Sequence, residues 1–376
     1  MLLPILASLL IVFGAPYVGD IRGALQTSFP EHYRLIIGLI VATAVAGALV
    51  AAAANLRRSR QGPAITATRS GYPGWLRYSL LAAAVAIGVV YARTVSTGNP
   101  DVDLVEAFHF VQYGLVTYLF YRASRGRTDV GAVVVPACVS LLVGVADEWM
   151  QWFVPVRVGE LHDVGLNAVA IVCGVLVSVA MHPPASLALP TRRSSRVALA
   201  AAVGVLVLAG AAFVDRVHLG YEIADEQIGV FRSRSDAWML RAATGGRSAR
   251  WRQTPPPERG FAREDHYLSE GLWHVQRRNT AITDGDAATA WGENLILEKY
   301  YAPVLDRGSR LSPEQRTDIE QRVHTVSARD FVSTAQPYPI YIAPRGLFWV
   351  TTALTIAATV WLFLGHRAPR GVSRVA

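Results

Sequence analysis

Six stretches of 17 to 20 residues run with almost no charge along this chain: Leu35–Ala54, Trp75–Ala92, Val130–Ala146, Val164–Met181, Val197–Val214 and Leu347–Leu364. At a rise of about 1.5 Å per residue, each is of the length a helix needs to cross a hydrocarbon core of about 30 Å. Two weaker stretches join them. Leu2–Ala15 is short, and Ala107–Tyr121 is short, aromatic and interrupted by His109 and Gln112. No Lys or Arg precedes Leu2–Ala15 and no clear small-x-small site follows it, so it reads as an uncleaved span. The expected fold class is therefore all-α, a polytopic transmembrane helical bundle of about eight spans. Composition agrees, because 17% of the 376 residues are charged and 52% hydrophobic, where a soluble domain carries about 25% charged. A disordered chain, a coiled coil and a fully soluble enzyme are excluded.

Arginines give the topology, because basic short loops stay on the cytoplasmic side. With the N-terminus inside, the inner loops hold Arg57, Arg58, Arg60 and Arg69, then Arg122, Arg125 and Arg127, then Arg192, Arg193 and Arg196, and the tail holds Arg367, Arg370 and Arg374. The outer loops carry only scattered residues such as Arg22, Arg34, Arg93 and Arg157. This places both termini in the cytoplasm. Five regions follow: N-terminal spans and a cytoplasmic loop at 1–74, a transmembrane domain at 75–181, a loop and the seventh span at 182–214, an extracytoplasmic helix-rich domain at 215–345, and the last span and tail at 346–376.

The insert Asp215–Arg345 holds 18 acidic and 18 basic residues, so the net charge of +8 belongs wholly to the rest of the chain. A nucleic-acid binder concentrates positive charge on its soluble part, so no nucleic-acid partner is expected. Leu268, Leu272 and Val275 have the spacing of an amphipathic helix. A second helix carries Trp291, Leu295 and Tyr301 as far as Pro303, and Ser312-Pro313-Glu314-Gln315 is a helix start. Pro255, Pro256 and Pro257 break the chain, and Pro337 to Tyr341 reads as extended. His266, His274 and the Arg277–Arg278 pair read as a solvated helix face, and Trp273, Trp291, Tyr300 and Tyr301 as core. Cys138 and Cys173 sit in apolar runs and offer neither a disulfide framework nor a CxxC zinc site. Arg77, near the inner end of its span, needs only to snorkel.

Polar residues in or beside spans are expensive and mark function by default. Here they converge. Glu106, His109 and Tyr113 share one helical face with Gln112 beside them. Asp147, Glu148 and Gln151 follow the outer end of the next span, the chain turns at Pro155 and carries Arg157, and Asp163 and Asn167 re-enter as an i, i+4 pair. All fall at one depth, on the extracytoplasmic side.

The joint pattern of Glu106-Ala-Phe-His109-Phe-Val-Gln-Tyr113-Gly114, Asp147-Glu148-Trp149-Met150-Gln151, Pro155-Val156-Arg157 and Asp163 with Asn167 resembles the VanZ-like family over roughly 75–181. Where that family usually carries Pro-Gly-Arg, this chain has Pro155-Val156-Arg157. The resemblance implies a multi-pass protein of the bacterial cytoplasmic (inner) membrane and cell envelope, with a link to teicoplanin-type glycopeptide antibiotic resistance.

Three readings of function stand open. In the first, the cluster binds or handles a lipid-linked or glycopeptide-like envelope ligand, with Arg157 as anion anchor. In the second, it is a membrane-embedded hydrolase or transferase with Asp147 or Glu148 as base and His109 as acid. In the third, the protein is a scaffold that meets an extracytoplasmic protein partner through 215–345. A purely structural plug, with Asp147 or Asp163 paired to Arg157, competes with all three. No cofactor is expected. His109, Asp147, Glu148 and Asp163 are of metal-ligand type, but their spacing is not diagnostic of a metal site.

Overall fold

The computed structural model describes residues 1–61, 72–96, 98–154, 157–254, 256, 265–323, 331–336 and 338–365. Arg69, Pro155, Val156, Pro255, Pro257, Pro337, Arg367, Arg370 and Arg374, all used in the reading above, lie outside the described residues. Among the described residues the chain is mostly helical, with one β-hairpin. Seven helices precede the insert: α1 (Leu2–Ser28), α2 (Tyr33–Gln61), α3 (Gly74–Thr94), α4 (Pro100–Ala123), α5 (Gly131–Trp152), α6 (Leu161–Met181) and α7 (Arg193–Phe213). A π-helical turn, Val214–His218, leads into strands β1 (Tyr221–Asp225) and β2 (Gly229–Ser233). Then come α8 (Ala237–Gln253), α9 (Asp265–Asp284), α10 (Ala287–Tyr300), the short α11 (Ala302–Leu305), α12 (Pro313–Val323) and finally α13 (Arg345–Val360).

Among the described residues, seven helices are long and apolar enough to cross a membrane, so this is a multi-pass membrane protein. The eighth expected span is α4, whose 24 residues suffice in length but whose Asp101, Asp103, Glu106 and His109 leave it less apolar than the rest. The first helix extends past the expected Leu2–Ala15 to Ser28 and continues through Pro16.

The chain divides into two compact units. One comprises Met1–Asp147, His162–Ala211 and Val350–Ala376; the other comprises Glu148–Leu161 and Ala212–Trp349. The boundary cuts α5, whose last turn belongs with the insert. In the first unit, large apolar side chains stand exposed along the helices, such as Leu10, Val50 and Leu354. Such a surface is stable only against lipid.

The second unit has its own core, with Phe231, Leu268, Ile296, Leu297, Tyr300 and Tyr301 at its centre. β1 and β2 pair antiparallel from Tyr221↔Ser233 to Asp225↔Gly229, with Gly229 at φ 112° in the turn. The region Tyr221–Ala243, which shows no decisive period in sequence, is thus a hairpin followed by the start of a helix. At α12, Gln315 N donates to Ser312 Oγ and Ser312 N to Gln315 Oε1, the reciprocal cap its sequence announces. The two ends of the insert are zipped together. Tyr341 N donates to His218 O at 2.7 Å, Gly220 N to Tyr341 O at 3.0 Å, and Arg345 reaches Asp215, Leu219 O and Tyr221 Oη. A large insert leaves and rejoins its flanking helices at neighbouring points for this reason.

Candidate functional site

Polar residues of α4, α5 and α6 pair across helices in the first unit, while Asn167 Nδ2 is buried with no hydrogen-bond partner among the described residues. Tyr113 Oη donates to Asp147 Oδ2 at 2.9 Å. His109 Nδ1 lies 2.8 Å from Asn167 Oδ1; an amide oxygen only accepts, so Nδ1 carries the proton and donates. The His109 ring stacks on Tyr113 with centroids 5.9 Å apart, as their one-turn spacing allows. Tyr113, Asp147 and Asn167 are all buried. Close helix approach is what lets these pairs form. A Cβ on Gly174 would lie 3.0 Å from the Gly114 Cα and carbonyl oxygen, so a larger residue there would push α6 off α4.

Glu148, Gln151 and Arg157 form a separate chain of bonds in the second unit. Gln151 Nε2 donates to Glu148 Oε1 at 3.1 Å, Arg157 Nη2 donates to Gln151 Oε1 at 2.5 Å, and Glu160 N donates to Glu148 Oε2 at 3.2 Å. The loop folds back onto the end of α5, which requires a glycine: a Cβ on Gly159 would fall 2.2 Å from the Glu148 carbonyl oxygen. Arg157 thus meets an amide oxygen, that of Gln151.

A cavity of about 610 Å³ lies between α2, α3, α4 and α6. Small side chains hollow it out, among them Ala44 and Ala48 of α2, Ala84 and Gly88 of α3, and Gly114 of α4. Its walls follow α4 from Asp103 to Tyr118, a rise of about 22 Å. Nearly all of that length is apolar. At one end the wall turns polar, with Tyr91, Ser96, Asp103 and Glu106. Ser96 Oγ donates to Asp103 Oδ2 at 2.6 Å and accepts from Gly98 N at 3.4 Å, and Tyr91 Oη is buried with no hydrogen-bond partner among the described residues.

Within the first unit, Glu106 lines the cavity and His109 bonds Asn167. Tyr113, Asp147 and Asn167 tie helices together, with Gln112 partly buried on the same helix as Tyr113. Within the second unit, Gln151 bridges Glu148 and Arg157. Among the described residues no group of three His, Cys, Asp or Glu side chains is arranged to hold a metal ion, so the metal reading of His109, Asp147, Glu148 and Asp163 gains no ligand cluster.

Several polar residues have roles that the sequence reading missed. Arg77 is buried rather than snorkelled. Its Nε donates to Ala180 O at 2.7 Å and its Nη2 to Met181 O at 3.0 Å, which caps the C-terminus of α6 and places a cation at the negative end of that helix. His218 joins three chain segments. Leu161 N donates to its Nε2 at 3.0 Å, so the ring proton sits on Nδ1 and is donated to Pro339 O at 2.8 Å.

His274 and Arg278 are buried, which corrects their assignment to a solvated face. His274 Nδ1 lies 2.6 Å from Glu293 Oε2, and Ser333 Oγ donates to Glu293 Oε1 at 2.6 Å. Arg278 donates to Asn294 Oδ1 and Ser309 O. Beside them Glu270 accepts from Ser233 Oγ, Tyr301 Oη and Arg234 N. Burial, and after it the Glu270 carboxylate, hold the Tyr301 phenol well above its usual pKa, so it remains a neutral donor. Helical periodicity marks His274 as off the Leu268–Leu272–Val275 stripe, and only the packing of α10 over α9 closes the polar face. Tyr300 and Tyr301 are core, as their sequence context indicates.

Residues 35–182 match the family described as VanZ/LLP1. That stretch is VanZ-like, and it begins well before the motif-bearing region at Trp75, taking in α2. Every residue that lines the cavity falls inside it. No curated protein and no solved structure matches the chain.

Proposed function

Taking a multi-pass membrane protein with a VanZ-like region at 35–182 as premise, we propose that this region receives the apolar arm of an envelope amphiphile between α2, α3, α4 and α6. The cavity carries this reading. At about 610 Å³ it is of the size that small-molecule sites have, apolar along most of its length and polar at one end. An apolar space among membrane helices has no polar partners to offer water, so hydrocarbon fills it. The link of the family's name to teicoplanin-type glycopeptide resistance supports an envelope ligand with both a hydrocarbon arm and a polar part. The arginine distribution supports a bacterial inner membrane, cytoplasmic termini and an extracytoplasmic 215–345, with the polar end of the cavity toward the outer face.

The acid–base reading gains no such support. Asp147 is engaged by Tyr113 and His109 by Asn167, as in a helix-packing role. The test is photolabelling of the full-length protein in nanodiscs by a monoacylglycerol bearing a diazirine on its chain. Labels should concentrate on α2, α3, α4 and α6 peptides that line the cavity, and Ala48→Trp or Val111→Trp, which fill it, should remove most of them. Uniform labelling of all lipid-facing helices, untouched by either variant, would overturn the reading.

A further inference from the structure

Resting on that reading, we propose that the cavity measures the arm it receives, taking one extended hydrocarbon chain of about 16 to 18 carbons and selecting it by length. The cavity has a blind end. Its lining stops at Ala51 on α2, Ala84 on α3, Tyr118 on α4 and Met181 on α6. At that depth Ala52, Leu56, Leu81 and Ala180 are buried as one apolar cluster, with Tyr78 and Val177 packed against it. The same end is cross-braced. Asn55 of α2 donates to Met181 O at 2.9 Å, Arg77 of α3 donates to Ala180 O and Met181 O, and Tyr121 of α4 donates to His182 O. All four helices that wall the cavity are thus tied together at this end. Tyr118 is held in place as well, since its ring stacks on His182 with centroids 6.2 Å apart and Arg122 Cζ stands 5.8 Å from its centroid. A chain that enters meets a floor that cannot easily give way.

The dimensions fix the chain. From Asp103 to Tyr118 the wall rises about 22 Å, and an all-trans chain with bonds of about 1.5 Å advances about 1.25 Å per carbon. The 610 Å³ spread over that length leaves a mean cross-section of about 28 Å². A hydrocarbon chain with neighbours at about 4.5 Å occupies about 20 Å², so one chain fits and two do not. Length can select because the bilayer is as apolar as the cavity and transfer between them gains little. Fit then decides. A shorter chain leaves lining atoms without partners, and a longer one must bend back on itself.

The experiment uses full-length protein in nanodiscs and saturated monoacylglycerols of 10, 14, 18 and 22 carbons, each with a diazirine near its methyl end, at equal mole fractions of lipid. Labelling of the cavity peptides should peak with the 18-carbon probe, on the order of fivefold above the 10- and 22-carbon probes. Its label should fall on the peptides of Tyr118 and Met181. A Cβ on Gly114 meets nothing within 4 Å, so Gly114→Leu puts a side chain into the cavity about 6 Å short of Tyr118. That variant should move the optimum down by about five carbons, to the 14-carbon probe. Tyr118→Ala removes the floor ring and should raise the 22-carbon probe toward the 18-carbon one; it decides alone if Gly114→Leu loses its cooperative melt. Equal labelling by all lengths, still lost in Ala48→Trp, overturns the length assignment and leaves the hydrocarbon reading standing. An optimum at 10 or 22 carbons, or one that neither variant moves, also overturns it. Absence of cavity labelling by every probe overturns both.

Discussion

The two units of this protein place polarity on opposite footings. Helices of the first unit present apolar side chains outward and pair their few polar groups inside, as in Tyr113–Asp147 and His109–Asn167. The second unit carries charged pairs on its surface, such as Arg310–Asp306 and Arg322–Asp318, and also buries Glu270, His274, Arg278 and Glu293 in a dense network. Hydrocarbon offers no hydrogen bonds, so a polar group in the first unit must find its partner on a neighbouring helix. Water solvates a charged side chain well, so burying one costs several kcal/mol, about as much as the network must return. The difference teaches where a substitution should hurt. A broken pair in the first unit leaves one group to find a substitute, whereas a hub in the polar core leaves several partners stranded at once.

The largest expected effect is at Glu270. Glu270→Ala strands Ser233 Oγ, Tyr301 Oη and the Arg234 amide in the core and should cost about 3 kcal/mol or more. It should be read as a lower Tm of the full-length protein by tryptophan fluorescence, with Trp251 and Trp291 as reporters in the second unit. In the first unit, Tyr113→Phe should cost only about 1 kcal/mol, because membrane hydrogen bonds average below that and a polar group in lipid finds substitutes. A double-mutant cycle with Asp147→Asn isolates the pair. Should Tyr113→Phe destabilise as much as Glu270→Ala, the contrast between the units is broken.

The smallest effect sharpens the comparison from the surface. Asp286 caps α10 by accepting from Thr289 N at 3.0 Å, and hydrogen bonds from Thr289 hold its pKa below the usual carboxylate value. A lowered folded-state pKa lends stability above the unfolded value of about 3.9, and that stability is lost as pH falls through the folded value. Asp286→Ala should therefore cost about 1 kcal/mol at neutral pH. The difference from the parent should shrink once pH falls below the carboxylate range, as thermal melts across pH would record.

How much of this is legible in the sequence depends on the solvent each stretch expects. A histidine, an aspartate or a glutamate interrupting an apolar run is conspicuous, so the residues of α4, α5 and α6 stand out. Which of them meet is not legible: Asp147 and Glu148 are adjacent in the chain, yet Asp147 accepts from Tyr113 of α4 and Glu148 from Gln151 and Glu160 of its own segment. His274 is hidden in the opposite way. On a helix rich in charge it looks like surface, and only α10 lying across α9 makes it core.

Helix length and apolar run decide the membrane plan, because a bilayer accepts little else, and the capping pattern at Ser312 decides where α12 begins. Both are local and so are written in the chain itself. The cavity, the partners of the polar residues, the Arg77 cap on α6 and the His218 clasp belong to the tertiary structure. Each depends on how closely helices distant in sequence approach, and that distance is set by small residues such as Gly114 and Gly174 only once their partners are known.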